Sequence, residues 1–342
     1  MNFIFHINNI LDENKEFETI KESIDFIFVE FYKLVNLPER SNYIDHGTIL
    51  SSGEALTPET AAGCVFDYVR TTKYLRAIWK AINTKTSSDK KIKILYAGSG
   101  PFASLIFPLL PLLKLEEIQV DIIDMHKESI ASLTTLIEHF HFDGFFDDLF
   151  IEDATQFSNP KNKSYDIIIT ETMRHALAIE PQVLITLHLL KFLNIDGIFL
   201  PEKIVVRTAI ANVQIELSKY TSGWQSFWTK IKQANAIKNR VLLGEVFILN
   251  KDVHKNYLIN LEESKTFFLK SITVPAKLGK MKDLILLTDI YLYEDIILTE
   301  NDETGLTKLY FDKDVPQLRG GEKLNFNYEI SSFPKIVTQI MK

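Results

Sequence analysis

The chain has 342 residues, 46% apolar and 24% charged, with a formal net charge of −7. That length holds two domains of ordinary size with a core large enough to fold independently. The acidic balance argues against general phosphate binding and so against a nucleic-acid partner. The single cysteine, Cys64, excludes an intramolecular disulfide and a cysteine-based zinc site.

The opening MNFIFHINNI lacks the basic flank and long apolar core of a secretory signal. The most apolar run, 102–113, is too short to cross a bilayer and holds two prolines. A soluble, cytoplasmic protein with no membrane partner and no metal site is expected. Residues 1–85 read as mainly helical, since Ile20, Ile24, Phe28, Phe31 and Leu34 recur at near-helical spacing. A polar loop is expected over 38–56. Thr57-Pro58-Glu59 then opens a helix, with Thr57 as cap and Pro58 at the first helical position. The apolar pattern predicts that this helix continues through Ala61, Val65, Val69 and Tyr74 to Ile82.

Residues 86–205 alternate strands and helices. Strands are expected at Ile92–Tyr96, Val120–Ile123, Leu149–Ile151 and Ile167–Ile169. Helical stretches are expected after Gly100, shortened or kinked by Pro108 and Pro111, from about Ser129 to His139, and as a long amphipathic helix after Glu180. This order predicts an α/β, doubly wound parallel sheet. Residues 206–342 change character. A polar, helical arm over 212–239 carries Trp224 and Trp228, and six short strand-like runs follow, broken by Gly305, Gly320-Gly321 and Pro334. These predict a C-terminal antiparallel β-barrel or sandwich. Three segments are therefore expected: helical 1–85, a nucleoside-binding α/β unit over 86–205, and a β-rich 206–342.

The chemistry gathers at the strand ends. Gly98 and Gly100 follow the first strand, where glycines let a ligand approach the backbone. Asp124 ends the second strand, where an acid accepts both hydroxyls of a ribose. Asp153 ends the third, beside Glu152; either one can meet an adenine edge, because strand alternation does not settle a one-residue shift. The fourth ends in Glu171, and a second carboxylate, Glu180, follows nine positions later. Ligands bind at the carboxyl ends of strands in open α/β sheets. Four such ends in a row predict a nucleoside cofactor, and the two glutamates predict a clamp for a cation.

With YAGSG, DIIDMH and IEDATQF in these places, the chain resembles the class I S-adenosylmethionine-dependent methyltransferases, which implies a Rossmann-like domain and S-adenosyl-L-methionine as cofactor. TETMRHALAIE narrows the likeness to the protein arginine N-methyltransferases, whose paired glutamates hold a guanidinium. Asp196-Gly197-Ile198 with Pro201, and Asp67-Tyr68-Val69-Arg70-Thr71, resemble two further family segments. Tyr43 and His46-Gly47 resemble an aromatic segment that folds over the cofactor. The resemblance implies catalytic roles for Glu171 and Glu180 and a cofactor-carboxylate role for Arg70. For Gly98, Gly100, Asp124 and Asp153 it implies cofactor binding, and for the 212–239 arm a homodimer contact.

Thr172, Arg174, His175 and Ala176 stand where the family has aromatic residues, and no Thr-His-Trp motif occurs near the C-terminus. The implied function is methyl transfer to a guanidino nitrogen of free arginine, another guanidino compound or a peptide arginine. Methyl transfer to another small nucleophile and a non-catalytic scaffold stay open as alternatives.

Overall fold

The structure, a computed structural model, describes residues 3–35, 37, 47–86, 90–217, 240–257, 259–261 and 263–341. Tyr43, His46, Trp224 and Trp228, with most of the expected arm, lie outside the described residues. No helix among the described residues is long and apolar enough to cross a membrane.

Helices α1 (Phe3–Leu11) and α2 (Phe17–Leu34) bury Ile7, Ile10, Ile24, Phe28 and Phe31. A hairpin, β1 (Thr48–Ile49) with β2 (Glu54–Ala55), stands where the sequence predicts only loop. α3 (Pro58–Gly63) is capped as expected, with the Thr57 side chain accepting from the Thr60 amide. The single helix expected from Thr57 to Ile82 is instead two. A short 3-10 turn follows α3, Asp67 leaves helical geometry (φ −77°, ψ 80°), and α4 (Tyr68–Lys85) starts afresh. The Asp67 carboxylate explains the break. One oxygen accepts from the Arg70 amide at the new N-terminus, and the other accepts from the Gly305 amide at 2.8 Å.

Five strands form the parallel sheet: β3 (Ile92–Ala97), β4 (Ile118–Asp124), β5 (Phe146–Ile151), β6 (Tyr165–Thr170) and β7 (Leu193–Leu200), in the order β5-β4-β3-β6-β7. β3 to β5 march one way and β6 starts on the other side of β3. The crevice at this reversal opens between the ends of β3 and β6. The strands are apolar because both faces are covered, and Ile94, Ile122, Ile167 and Ile169 are fully buried. α5 (Lys127–Phe140) is as expected. The stretch after Gly100 is not a helix: turns lead into a 3-10 segment over Phe107–Leu112. Ala103 takes a left-handed φ of 42°, and Pro108 and Pro111 supply no amide donors. The long amphipathic helix expected after Glu180 is only α6 (Gln182–Leu189), and it is buried nearly all round.

Lys203 opens the antiparallel region. β8 (Lys203–Ala211) is followed by α7 (Val213–Leu217), β9 (Val241–Asn250), α8 (Val253–Asn256), β10 (Thr266–Thr273), β11 (Asp283–Tyr293), β12 (Ile296–Leu298), β13 (Tyr310–Phe311), β14 (Lys323–Glu329) and β15 (Lys335–Met341). One sheet runs β12-β11-β8-β9 with β13 beside β11; the other runs β10-β14-β15. Among the described residues these sheets close no barrel. Of the six strand-like runs, the one that follows Gly305 is a 3-10 turn over Gly305–Thr307 plus the two residues of β13. α4 packs against both β6 and β11, which ties the two regions together.

Asp67 serves helix α4 and the Gly305 turn at once. Asp67→Ala is expected to cost about 1–2 kcal/mol, read as a lower midpoint in urea unfolding; an unchanged midpoint would contradict this double role.

Candidate active site

The ends of β3 and β4 lock together through one carboxylate. Asp124 Oδ2 accepts from the Gly100 amide at 2.8 Å and Oδ1 from the His126 amide at 3.0 Å. Gly98 and Gly100 both adopt left-handed φ, 74° and 60°. A Cβ on Gly98 would lie 2.3 Å from Thr172 Cγ2, so only glycine lets the β3 turn pass the loop after β6. Asp153 accepts from the amide and hydroxyl of Thr155, both at 2.8 Å, while Glu152 accepts from the Ser158 amide. A cavity is lined by Gly98, Gly100, Asp124, Glu152, Asp153 and the apolar Ile185. Its donor set fits a nucleoside: a fixed carboxylate for vicinal hydroxyls and apolar walls for a base. Glu152 and Asp153 both reach it, so the one-residue ambiguity of the sequence stays in the structure.

A second cavity adjoins the first and shares Gly98, Gly100, Glu171 and Glu180 with it. Arg70 projects into it from α4 and pairs with Oε2 of Glu171. Both side chains are buried, and Arg70 also donates to the Cys64 carbonyl. The sequence places these two residues 101 positions apart, in separate motifs; the fold makes them partners.

The loop carrying both glutamates is fixed at many points. The Thr172 amide and hydroxyl both donate to Gln182 Oε1 at 3.0 Å, which closes the loop onto α6. The Ala176 amide donates to the Thr288 hydroxyl, the Tyr328 hydroxyl to the Leu177 carbonyl, and the Ile179 amide to the Pro334 carbonyl. From the other side, the Glu54 amide donates to the Ile179 carbonyl, and Gly53 fits against Ile179–Pro181 so closely that a Cβ would meet backbone at 2.8 Å. Within this frame Ala176, Leu177 and Ile179 hold left-handed φ of 59°, 54° and 73°. Such backbone is costly for residues with a Cβ, most of all for β-branched Ile179, and persists only where the surroundings impose it. Sequence reasoning missed Gln182, Thr288, Tyr328 and Gly53. Only Gly53, within the run Ser51-Ser52-Gly53, carries a local turn signal.

The loop delivers Glu180 into the cavity almost fully buried. Burial pushes its carboxyl up to about 7, and the Glu54 charge adds to this while Arg174 and Arg70 oppose it. His175 lines the cavity as well. Burial, with the nearby charges of Arg174 and Lys308, holds its imidazole below the ordinary range. Among the described residues, the C-terminal region contributes Gly305, Leu306 and Lys308 to the lining, and no histidine.

Thr172 is held by Gln182 and has little freedom to retreat from a new Cβ. Gly98→Ala is therefore expected to cost about 2–3 kcal/mol. Gly100→Ala, where a Cβ would meet Ala61 Cβ at 3.3 Å, should cost less. Thermal unfolding of the pair checks the order, and equal shifts would contradict it.

No protein-family model and no curated protein matches the chain. Solved structures do. PRMT1 of Trypanosoma brucei, in an enzyme–prozyme heterotetrameric complex with AdoHcy, superposes with a TM-score of 0.52 at 14% identity, over 81% of this chain and 91% of that one. Protein arginine methyltransferase 10 of Arabidopsis thaliana gives 0.50 at 14% identity, over 80% and 88%. PRMT6 gives 0.51 at 13% identity, over 79% and 95%. Over about four fifths of its length, this chain shares the fold of the protein arginine methyltransferases.

Proposed function

We propose that this protein is an S-adenosylmethionine-dependent methyltransferase whose acceptor is a guanidino nitrogen. The observation that carries the reading is the shared wall of the two cavities. Glu171 and Glu180 border both the nucleoside-compatible cleft and the chamber that holds Arg70. A carboxylate clamp thus faces the place where a cofactor's reactive end would lie. The fold shared with AdoHcy-bound PRMT1 of T. brucei supports the choice of cofactor.

In this reading, Asp124 takes the ribose hydroxyls, Glu152 or Asp153 the adenine edge, and the Gly98–Gly100 turn the amino-acid tail. Arg70 meets the cofactor carboxylate while holding Glu171 in place. S-adenosylmethionine, when bound, supplies an electrophilic methyl group on a sulfonium. The protein's part is positional and electrostatic. A guanidinium is planar and presents forked N–H donors that match carboxylates. Glu171 and Glu180 fix its plane and draw positive charge toward the nitrogens they bind, so the attacking nitrogen keeps more lone-pair character. Such positioning is worth about 7–11 kcal/mol in favourable cases. As the new N–C bond forms, that nitrogen sheds a proton. Glu180, with its raised pKa, is a far better acceptor near neutral pH than an ordinary glutamate. A homodimer through the 212–239 arm belongs to the same proposal.

The raised pKa fixes the sign of the pH dependence. Guanidinium stays charged at all relevant pH, so only the ionised form of Glu180 clamps it. In the free enzyme kcat/KM should fall tenfold per unit below about pH 7 and level off above it. Glu171→Gln and Glu180→Gln should each lower turnover by at least about 100-fold, Glu180→Gln while sparing cofactor binding, measured by calorimetric titration. Glu180→Gln should also erase the inflection. Two fully active variants would overturn the clamp.

A further inference from the structure

Two cations line the chamber that holds the proposed clamp. Arg174, from the glutamate loop, and Lys308, from the turn before β13, line the same cavity as Glu171 and Glu180. Both are exposed, and among the described residues neither side chain has an ion pair or hydrogen bond. The other permanently charged base in the lining, Arg70, is paired with Glu171. Arg174 and Lys308 come from different regions of the chain and act on one spot, since both lower the pKa of His175 after burial itself.

For a guanidinium with no other charge, this placement is unfavourable. The ligand would share the chamber with two like charges, each repelling it. The arrangement becomes favourable if the ligand carries an anion at its far end. Both binding poles lie in one chamber of about 300 Å³, the size of a small-molecule site. Arg174 also favours the charged form of Glu180, and in the reading above the cofactor carboxylate falls to Arg70, on the α4 side.

We infer that the substrate is a small guanidino acid, its guanidino group held by Glu171 and Glu180 and its own carboxylate received by Arg174 and Lys308. This rests on the guanidino reading and adds the second pole. It makes Arg174 and Lys308 specificity residues for a carboxylate.

The test compares arginine, agmatine, which is arginine without its carboxylate, and a capped peptide with an internal arginine beside aspartate. Each is incubated with the full chain and S-adenosylmethionine. Arginine is expected to exceed agmatine in kcat/KM by on the order of 30-fold or more. Arg174→Gln/Lys308→Gln should lower the arginine value by a similar factor and agmatine far less, so that their ratio falls toward one. Cofactor affinity, measured by calorimetry, should hold. Agmatine turned over as well as arginine, equal losses on both substrates, or a loss of cofactor affinity with the ratio intact would each overturn the inference and leave the guanidino reading standing. A peptide preferred to free arginine would overturn the small-acid assignment alone. Absence of turnover with all three compounds would overturn the guanidino reading and this inference with it.

Discussion

The buried pair of Arg70 and Glu171 is the constraint on which the rest of the site depends. Taking two ions out of water costs several kcal/mol each, and only a close, well-bonded partner offsets it. Neither group can stand alone at 6% and 9% side-chain exposure. Helix α4 must therefore lie with its first turn against the end of β6. Asp67 sets that first turn by breaking the helix just before it, and the same carboxylate ties the turn to Gly305 of the C-terminal region. The charge that orients Glu171 is thus supported from three separate parts of the chain.

The second glutamate is held by different means. Its loop contains three left-handed residues with side chains, and the C-terminal strands supply the bonds that impose that backbone. The antiparallel region is in this sense a brace: Thr288, Tyr328 and Pro334 grip the loop from one side while the β1–β2 hairpin grips it from the other. The result is a carboxyl group buried, aimed into the chamber and poised near neutrality. Two glutamates nine positions apart end up unlike each other, one paired through a single oxygen with an arginine and one with a carboxyl raised by burial. That division suits a clamp in which one group orients and the other also accepts a proton.

How much of this was legible in the sequence depended on how local each cause is. A parallel sheet puts its loops at the carboxyl ends of its strands, so Gly98, Gly100, Asp124, Asp153, Glu171 and Glu180 could be placed on one rim without coordinates, and all six line the two cavities. The Thr57-Pro58 start was legible for the same reason, since caps act within one turn. The break at Asp67 was hidden, because the apolar period runs through it and the second partner of Asp67 lies 238 residues away. α6 was misread because a helix buried on every side shows no polar face to delimit it. The loop's anchors are plain core residues such as Thr288 and Tyr328, whose roles exist only once distant strands pack. Arg174 and His175 stood out in the sequence merely as departures from the family pattern; the fold puts them in the wall of the chamber.

In the proposed function, this rim aims a guanidino nitrogen at a methyl donor. The most direct measurement is mass spectrometry of the products formed when the protein is incubated with isotope-labelled S-adenosylmethionine and a mixture of guanidino compounds, primary amines and arginine peptides. The account predicts that the labelled methyl appears on a guanidino nitrogen and nowhere else. Label on an amine with none on any guanidino group, or no transfer at all despite demonstrated cofactor binding, would contradict it.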